Sequence, residues 1–312
     1  MQNILVIGGS YFAGRVFVEE LVKQDDIRVY VFNRGNRPLD MPAVTELVGD
    51  RHDSGQIHAA IPPLDWTAVV DFCAYEPADI DGLLENLPGR IGQYIFISTT
   101  TVYDKTSDLP VREDSAKLAG PQLDLAEQAN YGFDKWRAEE AVRSICGQRG
   151  VRYTIFRPAI IYGYYNYAPR ETYFFDLLRN HQPIVIPNNG LALFSVIWVV
   201  DMARTLICAI GNCQVFDRAF NLASDELISY QRIIDVLARI TGKAIEAMPL
   251  SVAEIERRRI PLPFPLDKHL VYCGDAARTL FSLSYTPFTQ GLREALKYYL
   301  AVKRAEQSPA TG

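Results

Sequence analysis

A turn at the N-terminus restricts the possible folds more than any other stretch. The apolar run Ile4–Leu5–Val6–Ile7 stops at Gly8 and Gly9, Gly14 follows, and residues 15–22 carry apolar side chains at helical spacing. Strand, tight turn and helix are predicted in that order. Glycines in such a turn let backbone N–H groups approach a pyrophosphate, and the helix N-terminus adds partial positive charge. Gly8, Gly9, Ser10, Tyr11, Phe12 and Gly14 therefore form a candidate dinucleotide turn. Tyr11 stands where the usual pattern has another glycine.

Strand-like runs at 28–33, 68–73, 94–98 and 153–157 alternate with helical patterns at 78–87 and 132–146. Continuous apolar strands alternating with helices predict an α/β fold, a Rossmann-type doubly wound parallel sheet. After Arg157 the regularity breaks. A tyrosine-rich loop covers 162–167, a short strand and turn 184–190, and a strand at 196–201 leads into a helix at 202–210. A strand at 219–222 and helices at 230–241 and 291–302 follow, and 308–312 reads as a frayed tail. This predicts a dinucleotide-binding domain over 1–163 plus 194–223. A smaller discontinuous C-terminal substrate lobe, 164–193 plus 224–312, would close on the sheet edge where ligands bind.

Composition narrows the function classes. The formal net charge of −5 argues against nucleic acid or an anionic membrane as main partner. Cys73, Cys146, Cys208, Cys213 and Cys273 form no C-x-x-C pair, which predicts free thiols in a reducing compartment. The four histidines lack metal-ligand spacing, so no metal is expected. No run approaches the roughly twenty apolar residues of a membrane span, and the first apolar run is too short for a signal peptide. A cytoplasmic protein is expected.

The chemistry-bearing signal is Tyr131 with Lys135, four apart and so on one helix face. A nearby ammonium favours the phenolate and is expected to lower the Tyr131 pKa from about 10. A tyrosine so tuned serves alcohol–ketone interconversion. Tyr299 and Lys303 repeat the spacing, but no strand end or hydroxyl cluster precedes them. Before Tyr131, the strand at 94–98 ends in the hydroxyl run Ser98–Thr99–Thr100–Thr101, and hydroxyls at such a strand end face the ligand crevice. Arg257–Arg258–Arg259 beside Glu254 and Glu256 reads as a solvated helix face, with a phosphate clamp as the alternative.

These features in order resemble the extended short-chain dehydrogenase/reductases, the NAD-dependent epimerase/dehydratase family, over nearly the whole chain. The segments Arg157–Pro158–Ala159–Ile160–Ile161–Tyr162–Gly163, Trp198–Val199–Val200–Asp201 and Phe220–Asn221–Leu222–Ala223 belong to the resemblance. It implies a cofactor, NAD or NADP, on the glycine turn. It implies Thr99 as the catalytic hydroxyl, Tyr131 as acid/base and Lys135 as its ribose-binding partner. Asp50 and Arg51 would lie at the adenine, and Phe72, Cys73, Ala74, Pro158 and Ile160 along the cofactor cleft. It also implies a homodimer packed through the helices near 78–87 and 132–146, with Ala138, Ala141 and Val142 suited to that interface or to the sheet.

Three departures shape the reading. Asn33–Arg34 stands where an acidic residue would hold the ribose 2′-OH, which favours NADP. Thr100–Thr101 replaces the Asp-Glu pair that dehydratases carry, which favours an epimerase or reductase. Phe194 replaces an arginine that grips the substrate diphosphate, and this weakens the nucleotide-sugar assignment. The function expected is hydride transfer on a sugar or nucleotide-sugar hydroxyl or ketone. The alternative is a non-catalytic RNA-binding or NAD(P)-sensing scaffold on the same fold; the altered turn fits a branch that resembles chloroplast RNA-associated proteins.

Overall fold

A computed structural model describes residues 1–189 and 191–307, without the side chains of residues 126 and 127. The tail at 308–312 lies outside them. The first half alternates β1 (Gln2–Ile7), α1 (Phe12–Leu21), β2 (Ile27–Asn33), β3 (Val44–Val48), α2 (Ser54–Ala60), β4 (Asp65–Asp71), α3 (Pro77–Asn86), the two-residue β5 (Arg90–Ile91) and β6 (Gln93–Ile97). Then come α4 (Tyr131–Arg149), β7 (Arg152–Pro158), β8 (Ile160–Tyr162), α5 (Glu171–Arg179), β9 (Ile184–Pro187), β10 (Phe194–Trp198), α6 (Val199–Ala209) and β11 (Arg218–Leu222). The chain ends with β12 (Leu227–Ile228), α7 (Tyr230–Thr241), β13 (Ala247–Leu250), α8 (Val252–Arg257), α9 (Asp275–Leu280) and α10 (Phe288–Gln307).

The main sheet is parallel, ordered β11-β7-β6-β4-β1-β2-β3, with β5 beside β4. Side-chain alternation along β1 builds two cores. Ile4 and Val6 face the core under α1 and α6; Leu5 and Ile7 face the one under α3 and α4. Both faces are covered, so the strands read as continuous apolar runs. The order reverses between β1 and β4, and this switch point opens a crevice at the carboxyl ends of the strands.

The segment 194–198 departs from its expected place. As β10 it pairs with β8 and β12 in a separate three-stranded sheet. The chain leaves the main sheet just after Pro158, and β10 follows β8 there, while β11 returns to pair with β7. Helix α6 contributes Val199, Met202 and Leu206 to the core shared with α1. Ala138, Ala141 and Val142 of α4 pack in the core over the sheet, so these three side chains are spent there.

Candidate active site

Three features make the glycine turn what it is. Gly8 has φ 81°, and a Cβ there would lie 2.9 Å from Cys73 Sγ. A Cβ on Gly14 would meet the Gly8 carbonyl oxygen at 2.6 Å, so α1 can sit this close to the turn only with glycine. Tyr11 takes the N-cap position of α1 in extended conformation with no side-chain cap, and no acidic residue lies in the first turn. The opening N–H groups of α1 therefore have no side-chain acceptor of their own. Phe12 adopts φ 40°, an uncommon conformation for a bulky residue. Tyr11 itself is clamped: Tyr167 stacks on one side at 4.9 Å and 17°, and the Arg37 guanidinium lies 4.1 Å from the ring centroid. A role for the Tyr11 ring in holding Tyr167 replaces the one a glycine would have.

At the end of β2, Asn33 Oδ1 accepts from Gly35 N at 2.7 Å, while its buried Nδ2 has no partner among the described residues. Arg34 lies close enough to help lower the Asp50 carboxyl, an effect led by hydrogen bonds from His52. Arg51 is not free to read a base with its guanidinium. It is buried, paired bidentately with Asp71 at 2.9 and 3.0 Å, and donates to the Asp79 carbonyl at 2.7 Å. His52 bridges Asp50 and Asp79 at 2.9 and 2.8 Å, and its pKa is raised chiefly by the Asp79 bond.

Beyond β4, the Phe72 ring packs 5.4 Å from Phe17 and so faces the α1 core. Cys73 lies against Gly8 and Arg51, and burial pushes its thiol up to about 11, which makes it a packing group and not a nucleophile. The Ala74 carbonyl accepts from Lys135 Nζ at 2.6 Å, as the Ile97 carbonyl does at 2.9 Å. Pro158 offers its carbonyl to Thr100 Oγ1 at 3.3 Å, and Ile160 opens β8.

Thr99 caps a short helical turn after β6, its Oγ1 accepting from Thr101 N at 3.1 Å and lying 3.0 Å from Thr101 Oγ1. Thr99 lies close enough to the Tyr131 hydroxyl to oppose the rise in its pKa. Gly132 is required beside it, because a Cβ there would sit 2.4 Å from the Thr101 carbonyl. The structure thus brings Thr99, Tyr131 and Lys135 together at the carboxyl edge of β6, next to Ala74 after β4. The expected lowering of the tyrosine is not seen. Burial raises the Tyr131 pKa, with Thr99 acting against it, although the residue is 40% exposed overall. Lys135 is buried, engaged with two carbonyls and itself lowered to about 8 by desolvation. An ammonium whose donors are spent on two carbonyls does little to stabilise a phenolate.

A buried ionic network underlies this edge. Glu139, one turn beyond Lys135, accepts from Ser98 Oγ at 2.7 Å and from Arg157 at 2.8 and 2.6 Å. Arg157 also donates to Tyr103 Oη at 2.8 Å and the Glu113 carbonyl at 3.0 Å, and Tyr103 donates to Asn221 at 2.5 Å. Neither this network nor Arg37, Tyr75 and Arg170 was read from the sequence, and Tyr167 was read only as part of the tyrosine-rich loop 162–167. The signals were thin: Arg37 three residues after Arg34, and a glutamate four after Lys135. Tyr299 Oη donates to Asp176, and Lys303 pairs with Glu306, away from any strand end of the main sheet. Arg257 and Arg258 both pair with Glu254 on the exposed side of α8.

A sequence profile of the NAD dependent epimerase/dehydratase family matches residues 4–223. The chain belongs to that family. Among curated proteins, it is 27% identical over 255 residues to the chloroplast stem-loop binding protein of 41 kDa b of Arabidopsis thaliana. The match covers 77% of this chain and 64% of that relative's length. Among solved structures, UDP-glucuronic acid 4-epimerase from Bacillus cereus, in complex with UDP-glucuronic acid and NAD, superposes with a TM-score of 0.75 at 18% identity, covering 96% of this chain and 100% of that one. UDP-glucose 4-epimerase from Thermotoga maritima gives 0.76 at 17%, covering 97% and 100%. The dTDP-glucose 4,6-dehydratase of Bacillus anthracis, in complex with NAD, gives 0.76 at 16%, covering 97% and 98%. These likenesses establish the fold of an epimerase/dehydratase family member. No helix among the described residues is long and apolar enough to cross a membrane.

Proposed function

We propose that the chain is an NAD(P)-dependent enzyme that interconverts an alcohol and a ketone on a sugar or nucleotide sugar, as an epimerase or reductase. The observation that carries this reading is the convergence of Thr99, Tyr131 and Lys135 on one sheet edge beside the glycine turn. The turn fits a dinucleotide. Its α1 N-terminus lacks a capping side chain, Gly8 and Gly14 leave no room for Cβ atoms, and the buried Asn33 Nδ2 has a donor to give. Gly8, Gly9, Ser10, Tyr11, Phe12 and Gly14 would hold the pyrophosphate, with Asn33, Arg34 and Asp50 at the adenosine end. Arg34, with no carboxylate at the end of β2, favours NADP over NAD. When bound, the nicotinamide supplies the hydride acceptor and donor.

The protein's part is proton handling and orientation. Burial keeps Tyr131 protonated at neutral pH, so it is set to donate to a keto oxygen and to recover the proton when the alcohol is oxidised. Thr99 orients the Tyr131 hydroxyl and offers its own to the same oxygen. Lys135 uses two of its three donors on the carbonyls of Ala74 and Ile97, which leaves one for a ribose hydroxyl. The absence of an Asp-Glu pair after Thr99 leaves no acid/base for eliminating water, which disfavours dehydration. A cytoplasmic homodimer packed through the outer faces of α3 and α4 completes this reading, and the five free cysteines accord with a reducing compartment.

The test is Tyr131→Phe assayed against a panel of UDP-hexoses with NAD or NADP. Turnover is expected to fall by at least about a hundredfold, as loss of a general acid/base does, while the cofactor dissociation constant changes little. Undiminished turnover would remove Tyr131 from the reaction. A second reading, an RNA-binding module, is favoured by the similarity to the stem-loop binding protein. It predicts RNA retention that falls steeply with salt, because phosphate contacts release counterions.

A further inference from the structure

Behind the glycine turn lies a cavity of about 420 Å³, between the start of α1, the loop 163–167, α5 and α10. It falls in the size range of small-molecule sites, about 300–1,000 Å³. Thr99, Tyr131, Lys135, Cys73 and Ala74 are not among its lining residues. Ser10, Tyr11 and Phe12 of the glycine turn form one wall of it, with Tyr11 stacked on Tyr167.

Its walls are aromatic and its charges are cationic in excess. Tyr11, Tyr165, Tyr167, Phe175, Tyr298 and Tyr299 supply rings. Arg15, Arg37 and Lys303 supply positive charge. Arg15 is paired with Glu19 at 3.2 Å and Lys303 with Glu306 at 2.9 Å. Arg37 meets no carboxylate within ion-pair distance among the described residues; its recorded neighbour is the Tyr11 ring. Of the two acids in the lining, Asp176 accepts from Tyr299 Oη, and Glu171 is buried, accepting from Gly163 N at 2.8 Å and Asn166 Nδ2 at 2.9 Å. Ser10 and Thr172 add hydroxyls. Rings beside an uncompensated guanidinium and a reachable ammonium match a ligand with a planar base and a phosphate.

We propose that this cavity is a second ligand site that takes a nucleoside phosphate, with the phosphate held by Arg37 and Lys303 and the base against the tyrosine rings. It goes beyond the hydride-transfer reading and does not depend on it. Two sources share this ligand chemistry: a free mononucleotide and an unpaired nucleotide of an RNA strand.

The test is calorimetric titration of the full-length protein with AMP and with UMP, run in saturating NAD or NADP so that the dinucleotide turn is filled. Wild type is expected to bind one equivalent. Arg37→Glu and Lys303→Glu, both surface charges, are expected to weaken binding at least about tenfold, with the thermal midpoint unchanged. Displacement of the mononucleotide by a short single-stranded RNA would assign the source to RNA; no displacement would assign it to the free nucleotide. No binding of either mononucleotide, or undiminished binding in both variants, overturns the proposal. Failure of the hydride-transfer reading would show instead as undiminished turnover of Tyr131→Phe, with mononucleotide binding and the Lys303 effect intact.

Discussion

Burial, more than pairing, sets proton affinity at the individual residues around the crevice. Glu171 has the largest consequence. Buried at the start of α5, with its carboxylate holding the loop that carries Tyr167, it is pushed up by desolvation from 4.5 to about 7. Its folded pKa exceeds its unfolded one, so the folded state retains a proton that the unfolded chain releases. Stability is therefore fully present below about pH 4.5 and is lost as pH rises through about 7. Glu171→Gln is expected to flatten that decline and to stabilise the protein at pH 8 by of order 1–3 kcal/mol, read as thermal midpoints across pH. An unchanged pH profile would mean that Glu171 is not the group responsible. The same physics explains why the Tyr131–Lys135 spacing was legible and its proton chemistry was not. A four-residue interval places both side chains on one helix face, but only the packing shows that Lys135 is drawn to the carbonyls of Ala74 and Ile97. Tyr11 was visible as a departure from the glycine pattern, whereas its partner Tyr167 lies far along the chain in a loop without periodicity.

At the scale of elements, α4 ties the edge together through one ionic network. Glu139 binds Ser98 at the end of β6 and Arg157 in β7, both charges fully buried. Removing one charge of such a pair costs far more than an exposed ion pair is worth, because the other is left buried and uncompensated. Glu139→Gln is expected to destabilise the protein by about 3 kcal/mol, measured by urea unfolding, with Ser98→Ala costing about 1 kcal/mol. Equal, negligible costs would show that the network carries no stability. The elements themselves divide by how much periodicity they carry. β1, β2, β4, β6 and β7 announce themselves as apolar runs, and α7 and α10 as amphipathic helices. β3, α2 and α5 are short or half-exposed and were not read as strands or helices. The pairing of β10 with β8 is a long-range event that no local pattern encodes.

For the whole molecule, the parallel sheet explains why the site lies where it does. The reversal between β1 and β4 opens the crevice, the turn before α1 lies at one side, and the end of β6 with the start of α4 lies at the other. The segments after β8 supply Tyr167 and Glu171 over the turn. Alternating segments made that sheet and its crevice readable from the sequence, whereas β8–β10, α5 and everything after β11 offered no comparable repeat. Hydride transfer at this edge is tested most directly with a sugar or nucleotide sugar found to turn over, deuterated at the reacting carbon, with the label followed by mass spectrometry. With direct hydride transfer the label stays out of water: it returns to the epimerised sugar or ends on the nicotinamide. Wash-out of the deuterium into solvent would contradict it.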